Sequence, residues 1–295
     1  MTFREASAAD REAILALRGR CFGEIDPEKR DPRFWDWEFS GGRCFVGEDA
    51  GRVLTHIALV PVTYAIDGSL VRGATAVDAM TSPDARGHGW FSRVVRFAME
   101  STRDDFAIST AYQIRGAVLG AMLRSGWVVA EKVPVLVRPV FLPALHRTEV
   151  RVLMRDDVQT MAGLTPAGGA SIARTPEFLA WRFFDNPRWK YRVTAVDDGY
   201  LVARRTTLKG FDTYAIVDLA FRTKRTARAL IAGAIHEAKR LGCTLVASLV
   251  SRAHPAFVPL LLRGFVPGPH RFRLLVHPKH VSARWRVMWA DTDHL

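Results

Sequence analysis

Pro83-Asp84-Ala85-Arg86-Gly87-His88-Gly89 joins a strand-like run, 74–80, to a mostly apolar and helix-compatible run, 90–99. A glycine-bearing turn that enters a helix presents main-chain N–H groups with no intrahelical acceptor, at the positive end of the helix dipole. Such a turn is a place to hold phosphate. The dinucleotide fingerprint GxGxxG is absent here, as is the loop GxxxxGK[ST]. A plain reading stands beside the functional one: Gly87 and Gly89 simply make a tight turn.

Working outward, strand-like runs in the first half fall at 3–5, 43–47, 54–64, 73–81, 106–109 and 128–137, with helices expected at 9–21, 33–39, 90–101 and 114–125. Asp67-Gly68 is a strong hairpin signal between two of these strands. Residues 138–174 read as a joint, punctuated by Pro139, Pro143, Pro166 and Gly168-Gly169. Beyond it, strands are expected at 191–196, 199–206, 211–220, 244–248 and 270–276, and helices at 225–241 and 255–263. The tail from Trp285 to Asp293 looks like a final strand running into two acids.

The chain repeats itself. Pro32-Arg33-Phe34-Trp35-Asp36-Trp37-Glu38-Phe39 is answered by Pro176-Glu177-Phe178-Leu179-Ala180-Trp181-Arg182-Phe183 at an offset of 144. Thr75-Ala76-Val77-Asp78 is answered by Ala215-Ile216-Val217-Asp218 at 140, and Gly126-Trp127 by Gly264-Phe265 at 138. Three matches in one order, with a slowly changing offset, are the mark of a duplicated unit. Proline opening a helix, followed by a Phe/Trp stripe, predicts packing against a sheet.

The turn is not repeated. Its counterpart, Arg222-Thr223-Lys224-Arg225-Thr226-Ala227, has no glycine. At 295 residues with 48% hydrophobic and 24% charged residues, a folded chain of one large or two ordinary domains is expected. Nothing in 1–11 reads as a signal peptide, and no apolar run reaches membrane-spanning length. Cys21, Cys44 and Cys243 are too few and too scattered for a disulfide framework or a metal knuckle, so a reducing, cytoplasmic setting and no metal are expected. The net charge of +12 favours an anionic ligand. Nucleic acid is not expected as that ligand, because no finger, RNP string or helix-turn-helix accompanies the charge.

The order Pro83-Asp84-Ala85-Arg86-Gly87-His88-Gly89 resembles the acyl-CoA-binding signature R/Q-x-x-G-x-G/A of the GNAT superfamily of N-acetyltransferases. Arg86 takes its first position and Gly89 its fourth, while Phe91 stands at the last, where Gly or Ala is more usual. Residues 2–6 with Ala9-Asp10 and 14–17 resemble the family's first strand and helix, and Arg124-Ser125-Gly126-Trp127 its late helix-to-strand junction. The resemblance covers about 1–135 and implies an α/β (α+β mixed-sheet) fold. Together with the repeat it implies two acetyltransferase-like domains, each a mixed central sheet flanked by helices. The first is 1–137, which would bind acyl-CoA; 138–174 connects it to a degenerate second at 175–295.

The resemblance also implies a site. Acetyl-CoA, or another acyl-CoA, would be the co-substrate. Its pyrophosphate would meet the turn formed by Arg86, Gly87, His88, Gly89, Trp90, Phe91 and Ser92, and its pantetheine arm the main chain of Met80 and Thr81. Glu38, Glu48 and Asp78 are candidate bases, of which Asp78 is best placed. Against this, Asp218 repeats Asp78 in a half without the phosphate turn, which favours a structural carboxylate. The tyrosine many members carry before the late junction is missing at 121–124, leaving Tyr112 as the candidate acid. The implied function is N-acyltransfer to a primary amine of a small molecule or amino sugar by direct attack. The alternatives are a non-catalytic acyl-CoA-binding or regulatory protein, and an aminoacyl-tRNA-dependent transferase. Chain pairing, including a homodimer, is left open.

Overall fold

Three two-residue turns ending in glycine fold neighbouring strands back on one another. Ala50–Gly51 (φ 48° and 76°), Asp67–Gly68 (49° and 90°) and Lys209–Gly210 (51° and 84°) all place both residues at positive φ. This is the geometry of a type I′ turn, whose twist matches that of the strands it joins. The computed structural model describes residues 1–23, 26–113, 116–142, 149–164 and 168–292.

In chain order the strands are β1 (Thr2–Glu5), β2 (Arg43–Asp49), β3 (Arg52–Ile66), β4 (Ser69–Thr81), β5 (Ile108–Gln113), β6 (Val128–Pro139), β7 (Arg151–Val152), β8 (Ala170–Ile172), β9 (Arg192–Val196), β10 (Gly199–Leu208), β11 (Phe211–Phe221), β12 (Leu245–Leu249) and β13 (Val266–His277). The α-helices are α1 (Arg11–Phe22), α2 (Pro32–Glu38), α3 (Trp90–Ser101), α4 (Gly116–Arg124), α5 (Val158–Ala162), α6 (Pro176–Leu179), α7 (Lys224–Arg240) and α8 (Phe257–Leu261). Pro143, Pro166, Asp293 and the predicted helix start at Ile114 lie outside the described residues.

Two separate domain sheets, expected from the repeat, are not what forms. One sheet runs in the order β1-β2-β3-β4-β5-β13-β6-β12-β11-β10-β9-β7, with β8 paired to β3. The reason is the late strand β13. It pairs antiparallel with β5 from Arg273↔Gln113 to His277↔Ser109, and so stands between β5 and β6. Such a long-range pairing leaves no trace in local periodicity. The tail differs from expectation too. Trp285 and Met288 make single bridges only, and Met288 N–H then donates to Asp291 Oδ2 at 2.7 Å, turning the chain into a 3-10 turn at Trp289–Asp291.

By density of contacts the chain divides into two units: Met1–Tyr64 with Val71–Ala130 and Arg273–Ser282, and Ala65–Leu70 with Glu131–Phe272 and Ala283–Leu295. In the first unit the sheet has a core on each face. Ala74 joins Phe91, Val94, Val95 and Ala98 of α3 and Met122 of α4. Val77 and Met80 join Ile14, Leu17, Trp35 and Phe39 of the α1 and α2 face. In the second unit α7 lays Leu230, Ile231, Ala234 and Ile235 on Tyr214, Ile216 and Leu219 of β11.

Candidate active site

Strand β4 does not alternate cleanly. Ala74, Ala76 and Ala79 lie on the α3 face, whereas Val77 and Met80 pack on the α1 and α2 face. Asp78 supplies the irregularity. Its φ of 48° is left-handed, so Val77 and Asp78 both turn toward α1 and α2. An extra residue of this kind bends a strand and re-aims a side chain. Asp78 is thereby buried beneath the helices instead of facing α3.

Four charged side chains meet there. Arg18 of α1 donates through Nε to Asp78 and through Nη2 to Glu38 of α2. Lys29 Nζ donates to Glu38 Oε1 at 3.0 Å and to Asp78 Oδ1 at 2.9 Å. All four are buried, and their charges balance. Arg18 also lies 5.2 Å from the ring centroids of Trp35 and Phe39 and 5.6 Å from that of Phe34, which gives the aromatic box its partner. Burial by itself raises the Asp78 carboxyl, but the charges of Lys29 and Arg18 outweigh it and hold Asp78 well below the usual range. For Glu38 burial wins, helped by Asp78 nearby, and the carboxyl is raised. His56 of β3 sits beside this cluster, its Nδ1 donating to the Asp78 carbonyl at 3.0 Å and its Nε2 unpartnered. Burial holds the imidazole down to about 4, so it is neutral at pH 7. Burial likewise pushes the neighbouring Cys44 thiol up to about 12.

The cluster brings Asp78 and Glu38 together, but through Arg18 and Lys29. Neither cation nor His56 was a candidate from sequence. A signal existed for Arg18: it falls in the buried stripe of α1 with Ile14, Leu15 and Leu17, where an arginine is out of place unless it is paired. His56 likewise interrupts the apolar run of β3.

Beyond Thr81 the chain makes one 3-10 turn at Pro83–Ala85 and reaches the glycine pair. Gly87 (φ 90°) and Gly89 (φ 72°) are left-handed, and a Cβ on either would meet no atom within 4 Å. The glycines therefore serve backbone conformation, and the turn opens onto free space. Gly89 is the N-cap of α3, with no side chain over the first amides. His88 is exposed and stacks on Trp90, the ring centroids 4.9 Å apart. Phe91 turns inward and packs into the core with α3 and α4. Ser92 is buried, its hydroxyl donating to the Ala121 carbonyl of α4 at 3.4 Å. Arg86 is exposed and its Nε donates back to the Thr81 carbonyl at 3.4 Å, which also accepts from Cys21 Sγ at 3.4 Å. The Met80 carbonyl accepts from Thr55 Oγ1 at 2.9 Å.

Strands β4 and β5 run parallel but pair only from Gly73↔Ile108 to Thr75↔Thr110. From Ala76 to Thr81, β4 has left β5, while β5 continues against β13. Tyr112, half-buried, stands on β5 opposite Leu274, past the point where the two strands part. An uncapped helix start, an open glycine turn and two diverging parallel strands thus lie along one stretch of chain. Among the described residues no group of His, Cys, Asp and Glu is arranged to hold a metal ion, and no helix is long and apolar enough to cross a membrane.

Residues 2–127 match the family model of an acetyltransferase (GNAT) domain. The fold is that of the GNAT acetyltransferases. A probable N-acyltransferase from Enterococcus faecalis is similar over 95% of this chain and 72% of its own, with a TM-score of 0.75 and 12% identity. A GCN5-related N-acetyltransferase from Kribbella flavida is similar over 93% and 70%, with a TM-score of 0.68 and 17% identity. Saccharomyces cerevisiae N-myristoyltransferase with bound myristoyl-CoA is similar over 94% and 79%, with a TM-score of 0.63 and 12% identity. No curated protein matches the sequence.

Proposed function

We propose that the protein is an acyl-CoA-dependent N-acyltransferase, which passes an acyl group, most simply acetyl, to a primary amine of a small molecule or amino sugar. The observation that carries this reading is the turn from Arg86 to Gly89. Two left-handed glycines with open space at their Cβ positions lead into a helix that no side chain caps. Main-chain N–H groups and the α3 dipole there suit a pyrophosphate. Arg86 adds charge, and His88 and Trp90 border the turn.

In this reading the acyl thioester lies where β4 parts from β5, against the main chain of Met80 and Thr81. The free amine attacks the thioester carbonyl: the C–N bond forms, the C–S bond breaks, and the sulfur leaves as thiolate. Orientation along β4 lowers the barrier by holding the two reactants in place, and the Thr81 N–H meets the developing oxyanion. Tyr112 gives the thiolate its proton. Asp78 and Glu38 serve the site through the ion cluster, as a framework that fixes the bend of β4. Asp78, held by two cations well below the usual carboxylate range, is a poor acceptor for an ammonium proton, and Glu38 is buried against the same two cations, so the amine loses its proton to water or buffer.

The test is a CoA titration followed by detection of free thiol over a panel of amines. Gly89→Asp is expected to weaken CoA binding about a hundredfold, because bulk and negative charge both oppose the diphosphate. An unchanged dissociation constant in the folded variant would sink the assignment. Since Asp78 and Glu38 are buried and bonded to Arg18 and Lys29, a second reading is an acyl-CoA-binding protein without turnover. CoA binding with no thiol released by any amine would select it.

A further inference from the structure

One end of the sheet in the second unit carries apolar side chains that are exposed among the described residues. Phe141 is 84% exposed, Phe211 55%, Leu262 64% and Val266 56%. Their segments are held together by main-chain bonds. The Val140 N–H donates to the Thr244 carbonyl at 3.0 Å, and the Thr244 N–H donates to the Asp212 carbonyl at 2.8 Å. The Arg138 guanidinium joins the next pair, with Nη2 donating to the Leu142 carbonyl at 3.0 Å and Nε to the Arg263 carbonyl at 2.8 Å. The end of β6, the start of β12, the β10–β11 turn and the end of α8 therefore form one rim.

Charge on that rim is one-sided. Lys209 stands in the β10–β11 turn, Lys239 in the last turn of α7, and Arg263 beside Leu262; none of the three is in an ion pair among the described residues. The neighbouring carboxylates Asp212 and Glu237 are already bonded to Arg205 and Arg240. Exposed aromatic and aliphatic tips among unpaired cations suit a surface that is apolar below and anionic above. A nucleic acid would use the cations and leave the aliphatic tips wet.

We propose that this rim docks the protein on an anionic lipid surface, with Phe141, Phe211 and Leu262 entering the acyl boundary and Lys209, Lys239 and Arg263 meeting headgroup phosphates. The probe is sedimentation of the full chain with phosphatidylcholine vesicles, with and without phosphatidylglycerol. Binding is expected only when phosphatidylglycerol is present, and it weakens as salt rises. Lys209→Glu with Lys239→Glu lowers it by at least about tenfold. Phe141→Ser with Leu262→Ser lowers it by about tenfold without changing thermal unfolding, because both side chains are exposed. Equal sedimentation with both vesicle types, or none with either, overturns the proposal. So does binding that the charge variant abolishes and the apolar variant leaves intact, if a single-stranded oligonucleotide binds equally well. A dimer in light scattering that Phe141→Ser dissolves would assign the rim to a second copy instead, and would also overturn it.

Discussion

Helix α3 begins at Gly89, which leaves no side chain over its first amides, whereas α7 begins at Thr223, whose hydroxyl accepts from the Thr226 N–H at 3.1 Å. The Thr226 hydroxyl in turn donates to Asp198 Oδ1 at 2.7 Å. One helix start is open to an incoming anion, and the other is already satisfied from within. Deeper in, the same two regions agree. The bend at Val77-Asp78 recurs in β11, where the register against β10 slips at Val217 so that Val202 faces Asp218 and Ala203 faces Ile216. Asp218 is then held by Arg174 at 2.9 Å and by the Tyr200 hydroxyl at 2.8 Å. Arg174 lies 5.3 Å from the Phe178 ring centroid, much as Arg18 lies over Phe34. Each region thus buries a carboxylate on an arginine that lies near a phenylalanine, although Arg18 comes from α1 and Arg174 from the segment just before α6, and the two regions differ at the turn that follows the strand.

That comparison is most directly broken at the carboxylates. Asp78→Ala leaves Arg18 and Lys29 to share Glu38 alone, and Asp218→Ala leaves Arg174 with Asp291 alone, so each unbalances a buried cluster and is expected to cost about 3–5 kcal/mol in urea unfolding, with the larger loss at Asp78. A loss under about 1 kcal/mol at either position would mean that the cluster is solvated and not structural.

Next comes pH. His56 in the first unit and His254 in the second are both held down to about 4 by burial. Unfolded histidine titrates near about 6.5, so between these values the unfolded chain binds more protons than the folded one. Stability is then full above about pH 6.5 and falls as pH drops toward about 4, by up to about 1.4 kcal/mol per pH unit for each histidine. His56→Gln should remove one share of that slope and leave that of His254. Melting temperatures whose pH dependence is identical in the wild type and the variant would exclude His56 from the linkage.

The helix starts themselves give the smallest effects. Gly89→Ala meets no atom, so its cost is the left-handed backbone alone, about 1–2 kcal/mol, together with weaker CoA binding. Thr223→Ala removes a cap and costs about 1 kcal/mol, with CoA binding unchanged. Should CoA affinity fall with Thr223→Ala and not with Gly89→Ala, the assignment of the two starts is reversed.

The amino-acid order by itself determined what local chemistry can determine. The glycines of 83–89 announced a turn into a helix, Asp67-Gly68 announced a hairpin, and the Phe/Trp boxes announced short helices that open on proline. These signals are legible because positive φ, turn geometry and side-chain periodicity depend on near neighbours in the chain. Tertiary structure alone decided that β13 pairs with β5 and makes one sheet of what read as two. It also decided that Asp78 meets Arg18 and Lys29, residues 60 and 49 positions away. Both depend on partners brought together only when the chain is folded, and on burial that makes an unpaired charge too costly to leave alone.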